Sequence, residues 1–141
     1  MKTSILFAIL SATFAALATI TAKSALKNID SFVLTVLRSL VISGILVIAL
    51  LFIKHSGFND LTAFTPKEWG LILITSLFGA LSWLFYFKAL KLTNNTTLIY
   101  AIDKGSVIIV AMLAALLFKE SLSIKTIAGI LFILAGLVFI G

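Results

Sequence analysis

No cysteine occurs among the 141 residues, so disulfides, thiolate metal sites and cysteine nucleophiles are all excluded. Histidine occurs once, as His55 beside Lys54, in the position of a solvated boundary residue. No His-Glu-x-x-His run, no Ser–His constellation and no glycine-rich phosphate loop is present, and intramembrane carboxylates are not paired, so no catalytic chemistry is expected. Charge is equally scarce: 11% of residues are Asp, Glu, Lys or Arg, against about 25% in soluble domains.

Apolar residues fill the space left by these absences. They make up 62% of the chain, and the mean hydropathy is +1.25. A soluble globule of this length leaves much of its surface wet and could not bury so much hydrocarbon. Soluble enzyme, nucleic-acid binder and disordered tail are therefore excluded. The net charge of +6 places cationic anchors beside lipid headgroups rather than on nucleic acid. The fold class is an all-α integral membrane protein, and no cofactor or metal is implied.

A helix needs about 20 apolar residues to cross a hydrocarbon core of roughly 30 Å. Five stretches qualify, at about residues 4–22, 32–53, 66–90, 97–118 and 123–141, and together they form a single five-helix transmembrane domain. Boundary chemistry supports them. Thr65-Pro66-Lys67-Glu68 reads as a capping box with proline at the first helical position, and Asp30-Ser31 and Ser123 are caps for the second and fifth spans. Asn94-Asn95-Thr96-Thr97 is a polar turn, and it matches the N-glycosylation pattern as short polar loops often do. The longest connection, about residues 54–68, is too short for a folded extramembrane domain.

Met1-Lys2 followed by an apolar run also fits a secretory signal. The run is longer than a typical signal core, however, and Ser11, Ala15, Ala18 and Ala22 recur at helical spacing. Small residues in that pattern suit a packed transmembrane helix.

Five crossings put the ends of the chain on opposite sides. Lys2, Lys54, Lys67, Lys119 and Lys125 then fall on the N-terminal side. Lys23, Lys27, Lys88 and Lys91 fall on the other, with Arg38 joining them if it reaches outward. An excess of Lys and Arg on one side normally sets orientation, and here there is almost none. Either a slight bias suffices, or copies insert both ways and pair antiparallel.

Ionisable residues within a bilayer mark functional sites by default. Arg38, Asp103 and Lys104 qualify. At a rise of 1.5 Å per residue they lie roughly 8–9 Å from the same side, with Trp83 at roughly 10 Å and Tyr86 and Tyr100 nearer the surface. One reading is a substrate or coupling site formed by Arg38, Asp103 and Lys104 and lined by Trp83, Tyr86 and Tyr100. The other is an Arg38–Asp103 clasp, with Lys104 reaching the headgroups and the aromatics forming an interfacial belt. Asp103 and Lys104 point about 100° apart as neighbours on a helix. Arg38, with its forked guanidinium, is thus the expected partner of Asp103. Two cations to one anion favour an anionic or zwitterionic ligand, and Gly105-Ser106 is placed to loosen the fourth span.

Trp83-Leu84-Phe85-Tyr86-Phe87-Lys88-Ala89-Leu90, Ile102-Asp103-Lys104-Gly105-Ser106-Val107 and Phe118-Lys119-Glu120-Ser121-Leu122-Ser123 resemble the EamA-like branch of the drug/metabolite transporter superfamily. Glu120 matches the family's glutamate, Gly129 and Gly136 its glycine-rich last helix, and Arg38 an arginine common early in the second helix. The resemblance covers one five-helix repeat, where most members carry two. Two positions depart from the pattern. Ala101 stands where proline is usual, removing the ordinary cause of a kink, and Lys119 stands where glycine is usual.

The resemblance implies an inner (plasma) membrane transporter of small molecules working by alternating access. One repeat cannot enclose a pathway, so an antiparallel homodimer is expected, agreeing with the charge balance. Ala128-Gly129 and Ala135-Gly136 would then form a seam to the second copy, or else pack within the chain. A half-size membrane subunit that needs a different chain is the alternative function.

Overall fold

The computed structural model describes residues 2–52 and 64–140. His55 and most of the connection after the second span lie outside the described residues, as do Ile53 and Gly141. The described residues are helical, with short turns and no strand: α1 (Lys2–Ala25), α2 (Ser31–Phe52), α3 (Pro66–Leu92), α4 (Thr96–Lys104), α5 (Val107–Leu117) and α6 (Ile124–Ile140). Four stretches have the length and apolarity to cross a membrane, and α4 with α5 forms one of them, Thr96–Leu117. The 17 residues of α6 reach about 26 Å at 1.5 Å per residue, at the short end of the spanning range. The protein is thus an all-helical, multi-pass membrane protein.

Local chemistry sets the helix starts. At α3 the Thr65 N–H and hydroxyl donate to Glu68 Oε2 at 2.7 and 2.8 Å, and the Glu68 N–H donates to Thr65 Oγ1 at 3.3 Å. Phe64 stacks edge-on against Trp69, with centroids 5.9 Å apart. This is a capping box closed by a hydrophobic staple. Asp30 Oδ1 accepts the N–H of Phe32 at 2.8 Å and of Val33 at 3.4 Å to start α2. Asn95 Oδ1 accepts the Leu98 N–H at 3.0 Å and Ser123 Oγ the Thr126 N–H at 3.1 Å, capping α4 and α6.

Two expected boundaries move. The first helix runs past Lys23 to Ala25, and the turn continues with Leu26 and Ile29 N–H groups donating to Ala22 and Ala25 carbonyls. The fourth span divides at Gly105-Ser106. There the Gly105 N–H is shared between the carbonyls of Ala101 and Ile102, both at 3.0 Å, and Ser106 N–H turns to Asp103 at 3.2 Å. The ladder tightens to three-residue spacing without any proline. Gly105 suits the place because an added Cβ would stand 3.0 Å from both the Ile102 oxygen and Leu137 Cδ1.

Lys119 adopts φ 55°, the left-handed region, directly after α5. The Glu120 N–H reaches back to the Ala114 carbonyl at 3.4 Å, which closes the helix end. The glycine usual at this position in the family that the sequence resembles thus has a backbone reason here.

The chain forms two compact units, Met1–Ile20 with Leu92–Gly141, and Thr21–Lys91. In the first, α4 packs against α6, and Thr19 is buried with its hydroxyl donating to Ala15 O at 2.9 Å. Among the described residues, Cβ atoms at Gly129 and Gly136 would meet nothing within 4 Å. In the second unit Ala22, Leu26, Phe87 and Leu90 form a small core beside buried Thr35. Lys23 Nζ donates to Leu90 O at 2.7 Å and Lys91 Nζ to Ile29 O at 2.6 Å. Together these bonds tie the α1–α2 turn to the end of α3, where a cation complements the helix dipole. Most large apolar side chains point outward, Phe139 at 91% exposure among them, as lipid-facing surface requires.

Candidate functional site

The six residues singled out in the sequence fall into two clusters, one in each unit. In the Thr21–Lys91 unit, Arg38 stands seven residues into α2, roughly 10 Å along it. Trp83 and Phe87 are spaced four apart on α3 and so share a face. The Arg38 guanidinium carbon lies 4.9 Å from the Trp83 ring centre and 5.3 Å from that of Phe87. Tyr86 meets Phe87 edge to face at 5.5 Å. Phe87 is 3% exposed, and Trp83 38%.

Arg38 therefore keeps its charge on two aromatic faces, each worth about 0.5–1 kcal/mol, and more when water is excluded. Among the described residues of its own unit, no carboxylate pairs with it. Sequence reasoning missed Phe87; its spacing from Trp83 was the available signal.

In the other unit, Lys104 Nζ lies 2.9 Å from Asp103 Oδ2 and 4.8 Å from the Tyr100 ring centre. Neighbours that point about 100° apart on a regular helix thus meet here all the same. Lysine carries its charge on a flexible four-carbon stem, and Lys104 is the last residue of α4, where the helix tightens and ends. Its ammonium can swing back over Tyr100, one turn earlier, and still reach the adjacent carboxylate. The pair is partly open to the surroundings, with side chains 53% and 36% exposed.

Each unit also encloses space. A cavity of about 120 Å³ in the first lies between Ala16, Thr19 and Ile20 of α1 and Thr96, Thr97 and Tyr100 of α4. Tyr100 thus joins the ion pair to a small, mostly apolar chamber. In the second unit, Thr35, Ser39 and Ser43 of α2 face Ala80 and Leu84 of α3 across about 280 Å³. Among the described residues no three His, Cys, Asp or Glu side chains gather as metal ligands would.

Comparison with known proteins agrees with the chain's pattern. The model of the EamA-like transporter family matches residues 2–141. A Sinorhizobium sp protein described as an uncharacterized transporter in the cobO 3′ region is 33% identical over 130 residues, 92% of this chain and 90% of that protein. No solved structure matches.

Proposed function

Because the chain belongs to the EamA-like transporter family, we propose that it moves a small anionic or zwitterionic molecule across the inner (plasma) membrane by alternating access. The work is transport rather than catalysis. The observation that carries the ligand class is Arg38. An intramembrane guanidinium is expensive to keep, and this one rests on Trp83 and Phe87 with no carboxylate among the described residues of its own unit. Asp103 is already matched by Lys104. The balance left over is positive.

The ion pair beside the α4–α5 break supports the moving part. Interrupted helices at membrane depth are tolerated where they line a site, and a pair held by one flexible lysine can open without unfolding either helix. Arg38, Trp83 and Tyr86 would hold the substrate; Tyr100, Asp103 and Lys104 would couple its passage to a conformational change. We propose that all five spans act as one transmembrane domain, paired with a second copy in antiparallel fashion. The open space at Gly129 and Gly136 suits close helix approach by that copy.

The test is a thermal-shift screen of the purified protein against anionic and zwitterionic metabolites, since a ligand that binds only the folded form stabilises it. A ligand found this way should lose its effect in Arg38→Met. A ligand whose shift survives that substitution refutes the site. The homodimer is checked by mass in detergent, where a lone monomer or obligate co-purification with a different chain refutes it. A reporter fused to the C-terminus should be active on both sides of the membrane if insertion is dual.

A further inference from the structure

The α2–α3 groove is not part of the proposed transport site, and it opens at the start of α2. At its mouth a cavity of about 330 Å³ is lined by Asp30, Ser31 and Phe32 from the start of α2 and by Leu84, Phe85 and Lys88 near the end of α3. Phe32 and Leu84 also line the 280 Å³ cavity below it, which continues down to Ser43 and Ala80. The two spaces therefore adjoin along one side of α2 and α3, and we read them as one groove. From Phe32 to Ser43 it runs roughly 16 Å along the helix, close to half of a hydrocarbon core of about 30 Å.

Its chemistry changes with depth. The mouth holds one charge of each sign. Lys88 is exposed, with no carboxylate or carbonyl partner among the described residues. Asp30 sits outside the spans, and the N–H groups of Phe32 and Val33 keep its carboxyl below the ordinary carboxylate range. Phe32 and Phe85 flank the mouth at 62% and 71% exposure. Below, the Thr35 hydroxyl already donates to Ser31 O and the Ser39 hydroxyl to Thr35 O, each at 2.7 Å. Thr35 and Ser39 thus present no unmet hydroxyl donor to an apolar occupant.

We propose that this groove holds one phospholipid with a zwitterionic, primary-amine headgroup. Its phosphate lies at Lys88, its ammonium at Asp30, and one acyl chain fills the groove down to Ser43 and Ala80. A purely anionic headgroup would meet Asp30, and a cationic one Lys88. The groove is one leaflet deep and charged only at its surface end, which is the shape of a lipid rather than of a helix. It is also separate from the Arg38 contacts. Trp83 and Phe87 precede Leu84 and Lys88 by one position each, about 100° round α3.

The experiment is native mass spectrometry of the full chain in mild detergent, offered equal amounts of phosphatidylethanolamine, phosphatidylcholine and phosphatidylglycerol with identical acyl chains. The wild type should retain one phosphatidylethanolamine in preference to the other two. Lys88→Gln should weaken that retention about two- to fivefold, the range of an exposed charge pair. Asp30→Asn keeps a capping oxygen and should erase the preference over phosphatidylglycerol. Leu84→Trp should fill the groove and release all three. Equal or better retention of phosphatidylglycerol or of phosphatidylcholine by the wild type overturns the proposal, as does unchanged retention in Lys88→Gln. So does a Leu84→Trp protein that loses a second copy of the chain instead of lipid. Both charge substitutions lie at the surface and keep the test decisive if Leu84→Trp does not fold.

Discussion

Replacing Arg38 with methionine separates a substrate-binding role from a structural one, because the two terms acting on stability nearly cancel. The substitution removes contacts with Trp83 and Phe87 at 4.9 and 5.3 Å, a loss of about 1–2 kcal/mol for the two rings together. It also removes a charge from the membrane. That charge costs about 2.5–3.5 kcal/mol at the centre of a span. Arg38 stands only about 10 Å in, so the recovered cost is smaller, about 1–2 kcal/mol. Methionine is flexible and fills the space against the rings. The net change in stability is therefore within about 1 kcal/mol. Uptake into proteoliposomes of the ligand found by thermal shift should nonetheless fall to background. Two measurements read this out: the unfolding midpoint in detergent and the initial rate of uptake. A loss of about 3 kcal/mol or more would show that Arg38 holds the fold together, as a buried partner does. Unchanged uptake would remove it from the transport path.

Other outcomes follow from single positions. Lys119→Gly should stabilise by about 1 kcal/mol relative to Lys119→Ala, because only glycine takes φ 55° without a Cβ clash; equal melting of the two variants refutes this reading, and the alanine variant controls for the lost charge. Gly105→Ala should destabilise by about 1 kcal/mol through the 3.0 Å approaches to Ile102 O and Leu137, and Leu137→Ala should restore part of it. A Gly105→Ala protein as stable as wild type shows that the α4–α5 break does not need glycine. Asp30 has its folded pKa lowered from 3.8 by the Phe32 and Val33 N–H groups, so its contribution is present above pH 4 or so and disappears as pH falls through the folded value. Unfolding midpoints at pH 7 and pH 3 should differ more for the wild type than for Asp30→Asn. Asp103→Asn should abolish proton-coupled flux if its carboxylate couples transport; surviving flux with a lower yield of folded protein shows a structural role instead.

The helices and their starts were legible before any coordinates. Twenty apolar residues in a row have one solution in lipid, where every backbone group must be bonded within its own segment. The caps at Asp30, Thr65 and Ser123 are equally local, since each side chain reaches an N–H only two or three residues on. Phe64 and Trp69 were not singled out, although their staple follows from the same spacing.

The partners of the charges were a different matter. Adjacency on an ideal helix argued against Lys104 bonding Asp103, yet helix ends are not ideal and lysine is long. The Arg38 guanidinium settled on Trp83 and Phe87, a pairing that depends on how α2 and α3 cross. Lys23 and Lys91, read as anchors in the headgroups, are spent on the carbonyls of Leu90 and Ile29. Even the family's glycine position became intelligible only when Lys119 showed its positive φ. Composition and periodicity determined that this chain is an all-helical membrane protein with four to five apolar helices, because solvation acts residue by residue. Lys104 finds its partners within its own helix. Which ring or carbonyl Arg38, Lys23 and Lys91 meet was decided by tertiary structure, because these long side chains choose among neighbours far away in sequence.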